Sequence, residues 1–91
     1  RRLDIEVGAG NKEMVLENIA HYCPKAIAGL KVDSLSRLEG SKIVLENGNW
    51  VLVRPSGTEP LFRVYMEAND KSTLEAIQQE VVRNVGLSDN Y

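Results

Sequence analysis

The 91-residue chain has little of several residue types, and each shortage excludes a class of protein. A single cysteine, Cys23, rules out a disulfide within the chain and favours a reducing, cytoplasmic location. No apolar run approaches the roughly 20 residues of a membrane span, and no signal peptide is visible. The net charge is only −2, so we expect no general attraction to nucleic acid or to an anionic membrane. These shortages predict a small globular domain whose basic residues act locally.

Residues that hold metals or perform catalysis are also scarce. The one histidine, His21, has no carboxylate or cysteine company at ligand spacing, and Asp33, Asp70 and Asp89 are isolated. There is no Gly-rich loop ending in Lys-Ser or Lys-Thr. His21 lies near Cys23, but a packed thiol beside a surface histidine accounts for the two residues more simply than a catalytic pair. We predict no metal site and no catalytic residue in this chain.

Two amphipathic helices are predicted from apolar spacing and capping residues. Asn11 is a suitable N-cap, and the helical pattern after it extends to about Tyr22. Ser72 and Glu75 fit a capping box that opens a second helix, and Gly86 fits the C-terminal stop of that helix. Each helix has one apolar stripe, so both should pack on the same kind of surface, the apolar face of a sheet.

Strand patterns fill the chain between the two helices. The Asn47-Gly48 dipeptide is a strong hairpin signal, because both residues tolerate the positive φ of a type I′ turn. Four strands are predicted, at about 30–38, 42–46, 49–53 and 61–68. The predicted fold class is therefore α+β, with a four-stranded antiparallel sheet packed on two helices.

The first ten residues differ from the rest. Leu3, Ile5 and Val7 alternate with polar residues, which fits either a first strand or an interdomain linker over residues 1–10. We assign residues 11–91 to the domain itself. Because the chain begins at Arg1 without a methionine and already in a strand-like pattern, we expect it to be a segment of a longer protein.

Residues 54–63 carry the most informative chemistry of the chain. They read Arg-Pro-Ser-Gly-Thr-Glu-Pro-Leu-Phe-Arg and follow an apolar strand. Arg54 presents a planar fork of N–H donors, Ser56 and Thr58 add hydroxyls, and Gly57 permits a positive φ and close approach of the backbone to an anion. Successive N–H groups in such a turn can converge on an anion, and the two prolines stiffen the loop. The same residues also suit an ordinary turn.

The order of these residues resembles the phosphate-binding loop of the α-D-phosphohexomutases. Seven residues from Arg54 to Pro60 carry the likeness, together with the strand from Phe62 to Ala68, and it extends over nearly the whole chain. It implies the C-terminal domain of a four-domain phosphoglucomutase or phosphomannomutase, with a fold like the TATA-box-binding protein. In that family the domain is a hinged flap that binds the non-reacting phosphate of a hexose phosphate during intramolecular phosphoryl transfer.

The resemblance also implies roles for individual residues. By motif position, Arg54, Ser56, Gly57 and Thr58 contact the substrate phosphate. Glu59 is an anion and suits loop support, either by pairing with an arginine or by accepting backbone N–H groups. Arg63 has two possible roles, a structural ion pair or a contact with the ligand.

The parts of the family's active site that this chain lacks are as informative. Nothing in it resembles the phosphoserine loop, the aspartate-rich loop that binds Mg²⁺ or the sugar-selecting loop. We therefore expect Mg²⁺ and the reacting serine in the upstream domains of a parent enzyme, and no phosphoryl transfer by this chain alone.

Three alternatives stay open at the level of sequence. A glucosamine- or N-acetylglucosamine-phosphate mutase would carry the same loop, since all these substrates share the phosphate. A non-enzymatic module that binds anions or nucleic acid is a second possibility, although the strands that carry Trp50 and Tyr65 should offer little basic surface and the chain is acidic overall. A purely structural role in a parent protein is the third.

Overall fold

A computed structural model describes residues 1–38, 40–57 and 59–87 of the chain. The first half contains β1 (Arg2–Gly8), α1 (Lys12–His21), β2 (Ala26–Ile27) and β3 (Leu30–Ser36). The second half contains β4 (Ser41–Leu45), β5 (Trp50–Pro55), β6 (Leu61–Glu67) and α2 (Lys71–Val85). The strands form one antiparallel sheet in the order β1-β6-β5-β4-β3-β2.

The α+β class is confirmed, but the predicted strand number is wrong, because the sheet has six strands and not four. Residues 2–8 form the edge strand β1, which pairs with β6 along its whole length. The two-residue strand β2 pairs with β3 at the other edge. The sequence alone does not predict these two strands firmly. The partner of β1 lies some 60 residues away, and β2 is too short to show a periodic pattern.

Both helices pack on one face of the sheet and leave the opposite face exposed. Alternate residues of β6 separate the two faces: Phe62, Val64 and Met66 are fully buried, whereas Arg63 and Glu67 are exposed. This alternation confirms the strand predicted at about 61–68. The buried aliphatic side chains of α1 and α2 join the same cluster, namely Val15, Ile19, Leu74, Ile77, Val81, Val82 and Val85.

The hairpin between β4 and β5 forms at the predicted dipeptide. Asn47 and Gly48 have φ values of 63° and 79°. Asn49 N–H donates to the Glu46 carbonyl at 3.4 Å and closes the turn. In β3, by contrast, the register shifts between Val32 and Ser34, which explains why its apolar spacing was irregular in the sequence.

The ends of the helices follow capping chemistry, with one correction. Asn11 caps α1 as predicted, accepting the Met14 N–H at 3.0 Å, and Gly86 ends α2 in the left-handed region with φ 83°. The predicted capping box at Ser72 is wrong, because Asp70 caps α2 and accepts the Thr73 N–H at 2.8 Å. Aspartate and serine are comparably good caps, and the earlier residue lengthens the helix.

Only Val15 and Ile19 of α1 are fully packed against the sheet, so the apolar stripe of this helix is narrow. Cys23 is exposed, so the expected packed thiol is wrong, and Leu16 keeps 39% of its surface exposed. The chain turns away after His21, and the Arg37 guanidinium donates to the carbonyls of Ile19 and Tyr22 at 3.1 and 3.2 Å. This cation satisfies the last carbonyls of the helix, where the helix dipole is negative. Neither helix of the described ranges is long and apolar enough to cross a membrane.

Candidate functional site

The loop between β5 and β6 lies at one end of the sheet, where two neighbouring strands position its ends. β5 ends at Pro55, β6 begins at Leu61, and the Ser56 N–H closes the loop by donating to the Leu61 carbonyl at 2.9 Å. The Ala9 N–H donates to the Pro60 carbonyl at 2.8 Å and ties the loop to the junction between β1 and α1. The base of the loop is therefore fixed by backbone hydrogen bonds.

Two predicted residues, Arg54 and Arg63, lie directly opposite each other on β5 and β6. Both are exposed on the face of the sheet away from the helices. Side chains at directly opposed positions have Cβ atoms about 5 Å apart, and like charges there repel. The strand register alone thus concentrates positive charge beside the loop.

Arg54 packs on an aromatic side chain. Its guanidinium lies 5.5 Å from the centroid of the Tyr65 ring, and its Nη2 donates to the Tyr65 hydroxyl at 3.3 Å. The pKa of Tyr65 lies below its ordinary value, because the hydrogen bonds from Arg54 and Arg63 stabilise the phenolate. Only one of the five N–H groups of Arg54 is engaged in this contact.

Arg63 is shared between the loop and β1. Its Nη2 lies 3.3 Å from a carboxylate oxygen of Glu6, with both side chains about half exposed, and its Nε donates to Ser56 Oγ at 3.4 Å. A second carboxylate of β1, Asp4, lies further from the loop and pairs with Arg2 at 3.1 Å. Within the described ranges no carboxylate pairs with Arg54.

The other residues predicted for the site lie in the loop itself, and three of them are described by the structure. Ser56 is half-buried and accepts from Arg63, which leaves its own O–H free to donate. Gly57 is exposed with φ 61°, so its backbone takes the left-handed conformation that glycine favours. Glu59 is exposed and makes no ion pair within the described residues. Thr58 lies outside the described residues.

Two residues that sequence reasoning did not select also reach the site. Lys12 Nζ donates to the Gly57 carbonyl at 2.7 Å. Gly40, with φ 106°, packs on the end of β5, where an added Cβ would lie 2.5 Å from the Val53 carbonyl oxygen and 2.7 Å from Arg54 Cβ. No local pattern links position 12 to the loop, since 45 residues separate Lys12 from Gly57. The contact of Gly40 with β5 could not be predicted either, because a glycine in a turn gives no information about which distant backbone it approaches.

An apolar groove beside β5 suits a phosphate ester less well than the loop does. A groove of about 190 Å³ on the helix side of β5 is mostly apolar, and its lining includes Leu16, Ile19, Val53 and Pro55. Its one charged side chain, Arg37, already donates to carbonyls at the end of α1. In the described part of the chain no group of three or more His, Cys, Asp or Glu side chains lies close enough together to hold a metal ion.

The outer face of the sheet is more basic than the sequence suggested. Trp50 lies between two cations, with Arg2 at 5.5 Å and Lys42 at 4.9 Å from its ring centroid, and Tyr65 lies beneath Arg54. The expectation of little basic surface around these aromatics is therefore wrong, because pairing of the strands brings Arg2 of β1 and Lys42 of β4 beside Trp50. Asp4, Glu6 and Glu67 on the same face balance part of this charge.

Comparison with known proteins identifies the family. The phosphoglucomutase/phosphomannomutase C-terminal domain family matches residues 11–84. A probable phosphoglucosamine mutase of Methanobrevibacter smithii is 31% identical over 72 residues, covering 79% of this chain and 16% of the relative. A phosphoglucomutase/phosphomannomutase of Thermococcus kodakarensis is 37% identical over 62 residues, covering 68% of this chain and 12% of the relative.

A third relative, a phosphoglucosamine mutase of Methanocaldococcus jannaschii, is 49% identical over 45 residues, covering 48% of this chain and 10% of the relative. The chain thus spans less than one fifth of the length of these three curated relatives. It belongs to the phosphoglucomutase/phosphomannomutase C-terminal domain family of the phosphohexomutases.

Proposed function

We propose that this chain is the phosphate-binding C-terminal domain of a phosphosugar mutase. In this role Arg54, Ser56, Gly57 and Thr58 bind the non-reacting phosphate of a hexose phosphate, and the parent enzyme transfers the other phosphoryl group elsewhere. Family membership supports the parent activity, which is isomerisation by intramolecular phosphoryl transfer. The single cysteine supports a cytoplasmic location for that enzyme.

The observation that carries the proposal is the directly opposed pair of Arg54 and Arg63 beside the loop. Glu6 offsets the charge of Arg63, but in the described ranges Arg54 has a phenol and no carboxylate as partner. A phosphate dianion bound between the two guanidinium groups would offset the repulsion and accept charge-assisted hydrogen bonds from both. Ser56 and Gly57 would then add one O–H and one N–H donor.

The domain would contribute to catalysis by binding and not by chemistry. Fixing the inert phosphate orients the reacting end of the sugar, and the free energy of this remote contact lowers the entropic part of the barrier. Closure of the domain over the substrate would also exclude water from the reacting phosphoryl group. We assign Mg²⁺ and the phosphorylated serine to other segments of the parent enzyme, which makes the upstream domains obligatory partners.

The identity of the substrate sugar is a separate question, because the relatives are named for different sugar phosphates. Their names include both phosphoglucosamine mutase and phosphoglucomutase/phosphomannomutase. The loop would contact only the phosphate that these substrates share. We therefore propose phosphoglucomutase or phosphomannomutase activity for the parent, with a glucosamine- or N-acetylglucosamine-phosphate mutase as the alternative. Assays of the parent enzyme on each sugar phosphate distinguish them.

Arg54→Gln tests the phosphate-binding role, because glutamine removes the charge and keeps most of the length. Each charge-assisted hydrogen bond contributes about 1.5–3 kcal/mol, so kcat/KM of the parent enzyme should fall roughly ten- to a hundredfold. The isolated chain should bind glucose 1,6-bisphosphate with a Kd of about 1 mM or weaker. In an NMR titration the amide signals of Ser56 and Gly57 should shift first, and Arg54→Gln should abolish these shifts.

Arg83→Gln is the matched control, since Arg83 is an exposed arginine on α2, distant in sequence from the loop. It should leave both kcat/KM and the titration unchanged. Unaltered turnover in the Arg54→Gln enzyme, or shifts concentrated away from the loop, would contradict the assignment.

A second candidate function is favoured by the cations around Trp50 and Tyr65. Aromatic rings interleaved with basic side chains on an exposed sheet face can stack bases of single-stranded RNA. This would make the domain a non-enzymatic binding module. We rank it below phosphate binding, because three carboxylates share the face and the whole chain is acidic.

A further inference from the structure

Lys12 connects the first turn of α1 to the tip of the candidate loop. It is the first residue of the helix, and its ammonium group donates to the Gly57 carbonyl at 2.7 Å. Lys12 as a whole is partly buried, whereas its contact with Gly57 is exposed to solvent. This contact spans 45 residues of sequence, so it is a tertiary feature of the fold and not a local consequence of helix formation.

The contact lies where the backbone hydrogen bonds of the loop end. The bonds from Ser56 N–H to the Leu61 carbonyl and from Ala9 N–H to the Pro60 carbonyl fix the base of the loop. Gly57 lies beyond them, and glycine in the left-handed region has more conformational freedom than any other residue. Among the described residues, the ammonium of Lys12 is the hydrogen-bond partner that the structure gives Gly57.

The chemistry of the carbonyl group explains why such a contact matters for anion binding. A carbonyl oxygen carries partial negative charge, so a Gly57 carbonyl that turned toward a bound phosphate would repel it. The Lys12 ammonium holds this oxygen and neutralises its charge, and it retains two further N–H donors and a positive charge near the loop.

We propose that Lys12 is a positioning residue of the phosphate site, which holds the Gly57 carbonyl away from the ligand. The inference rests on the proposed phosphate-binding function. It adds α1 to the elements that build the site. The binding of a phosphate ester should then depend on a helix that does not itself belong to the loop.

A set of four variants of the 91-residue chain tests this inference: Lys12→Gln, Lys12→Arg, Lys71→Gln and Arg54→Gln. Lys71 is the matched control, because it occupies the same first position of α2 and is exposed. Each chain is titrated with glucose 1,6-bisphosphate and followed by the amide signals of Ser56 and Gly57. The thermal midpoint of each variant is measured separately, since a residue that only stabilises the fold would change that midpoint and not the Kd.

We expect Lys12→Gln to weaken binding about fivefold, because Lys12 contacts the loop and not the phosphate itself, and exposed electrostatic contacts are weak. Lys12→Arg should restore binding to within about twofold of the unmodified chain, because arginine keeps the charge and the donors. Lys71→Gln should bind as the unmodified chain does. The carbonyl ¹³C signal of Gly57 should move in Lys12→Gln even without ligand.

The results separate the two proposals. If Lys12→Gln binds as tightly as the unmodified chain while Arg54→Gln does not bind, Lys12 has no positioning role and the phosphate site stands. If the unmodified chain itself shows no binding at the loop, the phosphate-binding function fails and the role of Lys12 fails with it. A Lys12→Gln chain that loses its folded spectrum would show a general structural role and would also overturn the inference.

Discussion

At the scale of single residues, Tyr65 reports the charge around Arg54. Hydrogen bonds from Arg54 and then Arg63 lower the pKa of Tyr65, whereas burial raises the pKa of Tyr22. The phenol of Tyr65 should therefore ionise below the ordinary value of about 10, and that of Tyr22 above it. Arg54→Gln removes the largest cause, so the pKa of Tyr65 should rise. The near-ultraviolet absorbance of the phenolate measures this change.

Tyr65→Phe assigns the first phenol ionisation to Tyr65, because this variant should lack that step of the titration curve. A phosphate ester bound beside Arg54 adds negative charge and competes for its N–H groups. Saturation with glucose 1,6-bisphosphate should therefore also raise the pKa of Tyr65. An unchanged first transition in Arg54→Gln would show that the contact between Arg54 and Tyr65 does not persist in solution.

Gly40 determines how closely a turn approaches the end of β5. Its φ of 106° is unfavourable for other residues, and an alanine Cβ would overlap the Val53 carbonyl and Arg54 Cβ. Gly40→Ala should lower the free energy of unfolding by at least about 1 kcal/mol and displace Arg54 from the Tyr65 ring. Chemical denaturation and the pKa of Tyr65 measure the two effects.

Gly48→Ala is the control for Gly40→Ala. Gly48 also has a positive φ, but an added Cβ there meets nothing within 4 Å. Gly48→Ala therefore has the backbone strain of a positive φ, but its added Cβ does not overlap any neighbouring atom. Equal losses of stability in the two variants, with an unchanged pKa of Tyr65 in both, would argue against a close approach at Gly40.

At the scale of elements, Asp70 makes the start of α2 dependent on pH. The hydrogen bond from the Thr73 backbone N–H lowers the pKa of Asp70 in the folded state. Its stabilising contribution is therefore present above the unfolded pKa of about 3.9 and is lost as pH falls through the lower folded value. Asp70→Asn keeps a capping acceptor but does not titrate.

The thermal midpoint should consequently fall more on acidification in the unmodified chain than in Asp70→Asn. Circular dichroism at neutral pH and below the folded pKa of Asp70 measures the difference. The same loss in both chains would mean that other carboxylates account for the acid sensitivity of the fold. Asp70→Asn changes no residue of the candidate site, so phosphate binding should be unaffected.

Some elements could be predicted from the sequence and others could not, for a physical reason. The hairpin at Asn47-Gly48, the cap at Asn11 and the stop at Gly86 depend on the backbone preferences of the residues themselves. Strand β1 depends on pairing with β6, and the cap of α2 on a choice between two comparable residues. Local chemistry does not decide such choices, because their free energies differ mainly through distant contacts.

At the scale of the whole molecule, charge is distributed unevenly despite a small net value. The outer face of the sheet carries cations from β1, β4, β5 and β6, and carboxylates from β1 and β6. Affinity for RNA depends on a continuous basic surface. We therefore expect no salt-dependent retention of the chain on single-stranded RNA. Retention that Trp50→Ala abolishes would favour the binding-module alternative over phosphate binding.

The sequence by itself determined the class of fold, the two helices, the hairpin and the order of residues in the loop. These depend on periodicity, turn chemistry and one compact motif, all of which are local. Tertiary structure decided the six-stranded sheet, the opposition of Arg54 and Arg63 and the partnership of Arg63 with Glu6. It also decided that Lys12 reaches Gly57 and that Gly40 packs on Arg54. These relations arise from strand register and helix packing, which bring together residues whose sequence separation conceals their contact.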